Sequence, residues 1–386
     1  MPAPLRVMIV AGELSGDQHA ARLVRDLRAL RPDISFFGVG GDAMRREGVQ
    51  LLHDCRDMAV VGLWDVLARL PFFLRLFREL SGVLRAHRPD ALLLVDYPGL
   101  NLRLAKAAHA LSIPVFYYIS PQVWAWNRSR IPKMAAVVDA LMVIFPFEVG
   151  VFKDTPLRPV FVGHPLVPSV RRTLASPPAP VPWTGPAPSR IAILPGSRRM
   201  EVLRILPLQL AAAAEILRRR PDASFAVAAA TPAAEALVRP IVDRLPADLH
   251  SRISVVTGKV RDVLRTARAA MVCSGTATIE TALLSTPMIV VYRANPFTWF
   301  IGRLLVRVKW LGMVNLIADR TLCPEFLQSD ARPVPMAQAV LDLLDDSSPA
   351  RQTQLAGLAE VATALTGPPD TPTPALQTSR LLPPRP

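Results

Sequence analysis

The chain is poor in cysteine and has no long uninterrupted apolar run, and each shortage removes a class of function. Only three cysteines occur in 386 residues, Cys55, Cys273 and Cys323, widely spaced and without a CxxC pair. That pattern gives neither a disulfide framework nor a thiolate zinc site, and it suits a reducing compartment. No window of 18 or more apolar residues is free of charge, so a membrane-spanning helix is not expected. Met1 to Leu5 run directly into a strand-like RVMIV, so no signal peptide is expected. There is also no GxGxxG fingerprint and no helix-turn-helix, zinc-finger or RNA-binding signature, so the basic charge is not read as nucleic-acid recognition.

What is present is apolar and basic. With 51% hydrophobic residues the chain can bury a large core, and its length suits two domains. Forty-five Lys and Arg against 31 Asp and Glu leave a formal charge of +14. Such an excess calls for a polyanionic partner: a nucleotide, a phosphorylated substrate or an anionic membrane.

The organising stretch is Asp90–Asn101, DALLLVDYPGLN. Ala91 to Val95 is short and wholly apolar, as a strand buried on both faces must be, and Asp96 follows at once, with Pro98 and Gly99 turning the chain. Ligand crevices of open α/β sheets lie outside the carboxyl ends of the strands, so an acid there is placed for chemistry; it equally reads as a cap for the next helix or a brace for the turn. Arg6–Ala11 predicts a first strand. GELSGDQHAARLVRDLRAL after it reads as a glycine-bearing loop entering an amphipathic helix, where Gly12 and Gly16 permit close approach of a ligand and Ser15 can donate to an anion. Phe36–Val39, Val115–Ile119 and Ala140–Ile144 continue as strands, with a helix over Leu102–Leu111, a rhythm that implies a parallel doubly wound sheet.

Two aromatic and basic stretches interrupt this rhythm. In Val60–Arg88, Leu70, Phe73, Leu74, Phe77, Leu80 and Leu84 form one side of a helix, Phe72, Leu76 and Val83 widen the apolar arc, and Arg75, Arg78 and Arg85 fill the rest. That is the pattern of an interfacial helix on an anionic membrane and equally of a helix packed between sheet and neighbours. In SPQVWAWNRSRIPKM, Trp124 and Trp126 precede Arg128, Arg130 and Lys133, a surface suited to a sugar, a base or phosphates, although buried tryptophans beside a basic helix start would look the same.

Residues 173–188 are proline-rich and predict a linker between a first domain, 1–172, and a second, 189–366. The second half repeats the alternation: strands at Ile191–Leu194, Ser224–Ala229, Ile253–Thr257, Ala269–Cys273 and Met288–Tyr292, helices over Leu203–Arg220 and Thr278–Leu284, and glycine-bearing loops PGSRRMEV and SGTATIE. Phe297–Val314 is a further aromatic and basic segment, too charged to span a bilayer. Residues 367–386 read as a disordered proline-rich tail.

Taken together, AGELSGDQHAA, FFGVGGDAMRREG, VGLWDVLARLP, LVDYPGLNLRLAK, YYISPQVWAWNRSRIPKM, FPFE, VGHPL, LPGSRRMEV, SGTATIETAL and VNLIADRTLCPEFLQ resemble, in order from about residue 8 to 328, the bacterial lipid-A-disaccharide synthases. The resemblance implies two Rossmann-like α/β domains with parallel sheets facing across a cleft, the GT-B glycosyltransferase architecture. It implies transfer of 2,3-diacylglucosamine from its UDP donor to 2,3-diacylglucosamine 1-phosphate, giving a β-1,6-linked disaccharide and UDP with inversion. No metal and no cofactor are expected, and a homodimer is left open.

By the same resemblance Asp96 is the general base and Arg198 holds the diphosphate. Gly196, Ser197, Ser274, Gly275, Thr276, Glu280 and Asn315 surround the UDP-sugar, with Glu280 on the ribose. Gly12, Glu13, Ser15, Gly16, Asp17, Ser120 and Trp124 shape the acceptor side, while Phe72, Phe73, Leu76, Phe77, Arg75 and Arg78 meet an anionic membrane, which implies a cytoplasmic protein held peripherally at the inner membrane. Four positions depart from the pattern: Gly99 and Leu100 replace a second acid and a phenylalanine, Ala20 a glycine, and Gln122 a serine. Gly99 keeps open a catalytically silent homologue that binds nucleotide sugar or lipid; a related transferase or epimerase with a soluble substrate is the other alternative.

Overall fold

The computed structural model describes residues 4–58, 69–295, 299–300 and 308–384. They form two α/β units, one from residues 1–165 with 367–386 and the other from 166–366. Most of VGLWDVLARLP and half of the Phe297–Val314 segment lie outside the described residues.

The first unit is built on a parallel sheet of β1 (Leu5–Ala11), β2 (Ile34–Gly40), β3 (Gln50–Asp54), β4 (Ala91–Val95), β5 (Val115–Tyr118), β6 (Ala140–Val143) and β7 (Val160–Phe161), in the order β3-β2-β1-β4-β5-β6-β7. The second unit carries β8 (Arg190–Leu194), β9 (Ser224–Ala229), β10 (Ile253–Thr257), β11 (Ala269–Cys273), β12 (Met288–Tyr292) and β13 (Glu325–Leu327), also parallel, in the order β10-β9-β8-β11-β12-β13. The central strands are covered on both faces, so every residue of β4 and of β11 is buried, as their unbroken apolar runs require. In each sheet the first strand has neighbours on both sides that lead away in opposite directions: β1 lies between β2 and β4, and β8 between β9 and β11. These reversals are the topological switch points at which α/β sheets receive ligands.

Two expectations about the chain's course change. The proline-rich stretch 173–188 does not separate the units; it runs along the second one. Its first residues end a helix, Leu166–Leu174, the Ala179 amide donates to Asp262 at 2.9 Å, and the Trp183 indole donates to Thr266 at 3.0 Å. Proline denies this stretch regular hydrogen bonding but not side-chain anchorage. The final proline-rich residues are likewise ordered. They return to the first unit as a helix, Pro374–Leu381, whose N-cap Thr373 hydroxyl accepts from the Leu376 amide and whose Ala375 and Thr378 are buried. Arg31 donates to the Pro383 carbonyl. Pro374 stands in the first helical turn, where a missing N–H costs nothing.

Candidate active site

The first switch point is assembled from the loops after β1 and β4. Because Ala11 is in register with Val95, Gly12 and Asp96 leave the sheet side by side. Asp96 and Tyr97 both take left-handed backbone conformations, φ 49° and 48°, which cost a non-glycine residue about 1 kcal/mol or more each. Hydrogen bonds hold the strained turn: the Asp96 carbonyl accepts from the Tyr117 hydroxyl at 2.6 Å and from Asn101 Nδ2 at 2.7 Å, while its amide donates to Tyr118 at 3.0 Å. Gly12 is dictated by Tyr97, since a Cβ there would stand 2.3 Å from the ring.

The Asp96 carboxyl does not cap the helix that follows, α1 (Pro98–His109), which has no side-chain cap. Of its sequence readings, chemistry, helix cap and brace for the turn, the cap is thereby removed. Burial, and then the negative charge of Glu13, push its pKa up to about 6, against a smaller opposing effect of the Tyr97 amide. An acid so placed is ionised near neutrality but still basic enough to accept a proton.

Other residues of the first unit are placed differently from expectation. Asp17 is 3% exposed and spent on structure: its carboxylate accepts from the amides of Gly41 (2.7 Å), Ala43 (3.0 Å) and Met44 (3.1 Å), capping the short helix Asp42–Arg46. Gly16 is buried and Ser15 exposed, in the first turns of the helix Leu14–Leu30. Ser120 and Trp124 are both buried. The Trp124 indole donates to Glu148 at 3.1 Å, and the other oxygen of that carboxylate accepts from the Ile144 and Phe145 amides. Glu148, unassigned in the sequence despite the FPFE motif, is 1% exposed, and burial pushes its pKa up to about 7. The exposed indole is Trp126, with the Arg130 guanidinium 5.0 Å over its ring.

On the helix α2 (Leu70–His87), Arg75 and Arg78 are exposed, and Phe72, Phe73 and Phe77 are half-buried. Leu76, expected on the outer arc, is instead 2% exposed and belongs to the core with Leu80 and Leu84. Spacings of four keep these three on one face. The outward apolar residues are Leu70 and Leu74.

The second switch point joins the loops after β8 and β11. Gly196 has φ 102°, and a Cβ there would meet Glu201 Oε2 at 2.6 Å and Cys273 Sγ at 3.2 Å. Ser197 and Arg198 lead into a long helix, α3 (Arg199–Arg219), and the Arg198 side chain is 83% exposed. Across the switch, Ser274 donates to the Leu311 carbonyl at 2.8 Å. Gly275 then precedes the helix α4 (Thr276–Leu283), whose N-terminus carries no side-chain cap. An uncapped helix start beside an exposed arginine is suited to phosphate.

Glu280 faces Arg261, which bonds it at 2.5 Å and also reaches Ser169 and Thr173. Asn315 is fully buried with both ends of its amide engaged: Nδ2 donates to the Cys323 carbonyl and Glu325, and Oδ1 accepts from the Leu322 and Cys323 amides. It fixes the segment before β13 and has no donor left over for a nucleotide. A groove of ≈ 830 Å³ runs beside α3, lined by Leu203, Arg204, Pro207, Arg293 and Phe300 among others.

Comparison with known proteins bears on the whole chain. A family model described as Lipid-A-disaccharide synthetase matches residues 7–365. The lipid-A-disaccharide synthase of Geobacter sulfurreducens is 39% identical over 358 residues, 92% of each chain. That of Anaeromyxobacter sp. strain K is 41% identical over 368 residues, 93% of each. Among solved structures, Acinetobacter baumannii MurG aligns with a TM-score of 0.57 at 15% identity, over 98% of this chain and 99% of its own. A putative UDP-N-acetylglucosamine 2-epimerase from Listeria monocytogenes aligns at 0.60 and 15%, over 94% of each. At such identities these structures speak for the fold alone, the two-unit parallel-sheet build of GT-B glycosyltransferases and epimerases.

Proposed function

The chain belongs to the lipid-A-disaccharide synthase family, and from that premise we propose how its two switch points divide the chemistry of a hexosyltransferase. The donor is UDP-2,3-diacylglucosamine and the acceptor 2,3-diacylglucosamine 1-phosphate. The acceptor's 6-hydroxyl oxygen attacks the donor's anomeric carbon and its proton passes to Asp96. The bond to the diphosphate oxygen breaks with its electron pair, so that UDP leaves and the configuration inverts. A single base suffices for direct displacement. Arg198 and the amides that open α4 take up the charge on the departing diphosphate. Gly196, Ser197, Ser274, Gly275 and Thr276 form the loops around it, and Glu280, in its pair with Arg261, lies on the ribose side.

The observation that carries this reading is Asp96 itself. Among the described residues no side chain pairs with its carboxyl, the turn that presents it is strained and held by Tyr117 and Asn101, and its pKa is raised to about 6. Glu13 is the nearby charge that tunes it. Gly99, where the resemblance led us to expect a second acid, is exposed with nothing near its missing Cβ, so the loss does not disturb the turn.

Acylated substrates reside in a bilayer. Among the described residues no helix is long and apolar enough to cross one, and we propose contact from one side only. Leu70 and Leu74 enter the interface, with Phe72, Phe73 and Phe77 at its edge and Arg75 and Arg78 on anionic headgroups. The groove beside α3 has the apolar wall and basic rim that suit an acyl chain next to a diphosphate. The test is direct: the purified protein incubated with both acylated substrates should release UDP and form the disaccharide, and should do so far more slowly with a deacylated donor. Absence of disaccharide, or equal rates with both donors, overturns the proposal.

A further inference from the structure

The loop between β8 and α3 is folded around one carboxylate that the sequence motif contains but assigns no role. Glu201 Oε2 accepts from the backbone amides of Ser197 and Arg198, both at 3.2 Å, while Oε1 accepts from Arg198 Nη1 at 2.8 Å. The carboxylate is largely enclosed, with 16% side-chain exposure against 83% for Arg198. The adjacent Gly196 leaves the space: its φ of 102° and the 2.6 Å between its notional Cβ and Glu201 Oε2 mean that another residue would displace the carboxylate.

We infer that Glu201 is the positioning residue for Arg198, fixing the loop backbone with one oxygen and the guanidinium with the other. This inference rests on the diphosphate reading above. An arginine exposed to this degree would otherwise sample many rotamers, and holding it only when substrate arrives would tax each binding event. With Nη1 tied back to Glu201, the fork still offers Nε and Nη2 to a phosphate, and a fork–fork pair needs just such an edge. The same geometry takes the Ser197 and Arg198 amides out of use. Backbone donation to the diphosphate therefore falls to the start of α4, which follows β11, the strand next to β8.

A capping carboxylate with no further role would look similar in a structure, and a double-mutant cycle separates the two. Glu201→Gln keeps an oxygen for the backbone amides but removes the charge that holds Arg198. It should lower kcat about tenfold, with KM changing less and the melting temperature within a few degrees of wild type. In an Arg198→Ala background the same substitution should cost less than about twofold. An equal cost in both backgrounds, or wild-type kcat for Glu201→Gln alone, overturns the inference and leaves Glu201 a helix cap. Should Glu201→Gln melt early, Glu201→Asp, which draws the charge back by one methylene, completes the same cycle. Wild-type turnover in Arg198→Ala by itself would instead overturn the diphosphate reading on which the inference stands.

Discussion

At the scale of single residues, Asp96 makes opposite demands on stability and activity. Its carboxyl pKa is raised from 3.8 to about 6, so the folded protein binds a proton more tightly than the unfolded chain. Stability from this group is therefore fully present below about pH 4 and falls as pH rises towards 6 and beyond. On the proposed mechanism turnover runs the other way, because only the ionised form accepts a proton. The expected outcome for Asp96→Asn is thus twofold. Turnover should drop about 10²- to 10⁴-fold with UDP affinity retained, and stability at pH 7.5 should rise by about 1–2 kcal/mol, a gain that vanishes near pH 4. Chemical denaturation at the two pH values checks the second half. In the wild type, kcat/KM should rise with pH through an apparent pKa near 6, and Glu13→Gln should move that limb to lower pH because a like charge is removed.

Much of the candidate site was legible in the sequence, but not which of its polar side chains were already spoken for. Asp96, Arg198 and the glycines follow strands that any apolar run would reveal. Asp17 and Asn315 sit in equally recognisable motifs, yet their partners, backbone amides for Asp17 and backbone groups and the Glu325 carboxylate for Asn315, come from segments up to 27 and 10 residues away, and a motif does not say where a side chain points. Asn315→Ala, which takes away the side-chain partner of the Cys323 amide and carbonyl, should destabilise the second unit by about 2–4 kcal/mol. Asp17→Asn should weaken folding more than it weakens catalysis. Thermal melts set beside kcat for each variant test this.

At the scale of elements, strands at the centre of each sheet were legible because two covered faces enforce apolar runs. Of the edge strands only β10, Ile253–Thr257, was legible; the others were not. β3 is partly exposed, β7 has two residues and β13 three, too few to establish any periodicity. The helix α2 shows a different limit: its apolar arc was read correctly as wide, but an arc does not state which edge is buried. Leu76 looks inward and Leu70 and Leu74 outward. Leu70→Ser with Leu74→Ser should therefore reduce sedimentation with anionic vesicles several-fold while leaving the melting temperature unchanged. Leu76→Ser should instead cost about 2–5 kcal/mol of stability. Unaltered vesicle binding in the double variant would mean that this face of α2 does not meet the membrane.

At the scale of the whole molecule, the chain leaves its first unit at Pro165, builds the second, and comes back at Gly367. Composition hid this return, because prolines and threonines that look disordered in aggregate form an N-cap and first turn when taken one by one. The returning helix Pro374–Leu381 packs on the helix Leu14–Leu30 and on β6, and Thr378 contacts Met142 Sδ at 3.6 Å. Since Leu14–Leu30 starts directly after Gly12 and Glu13, the terminal helix braces the element that leads out of the Asp96 switch point. Removing residues 368–386 should uncover the face of that helix that the terminal helix covers, lower the melting temperature of the first unit by several degrees, and reduce kcat without changing UDP affinity, which the proposed function assigns to the second unit. Limited proteolysis should then open the first unit before the second. A truncated protein that melts and turns over like the full chain would show that the returning helix is dispensable to the site it backs.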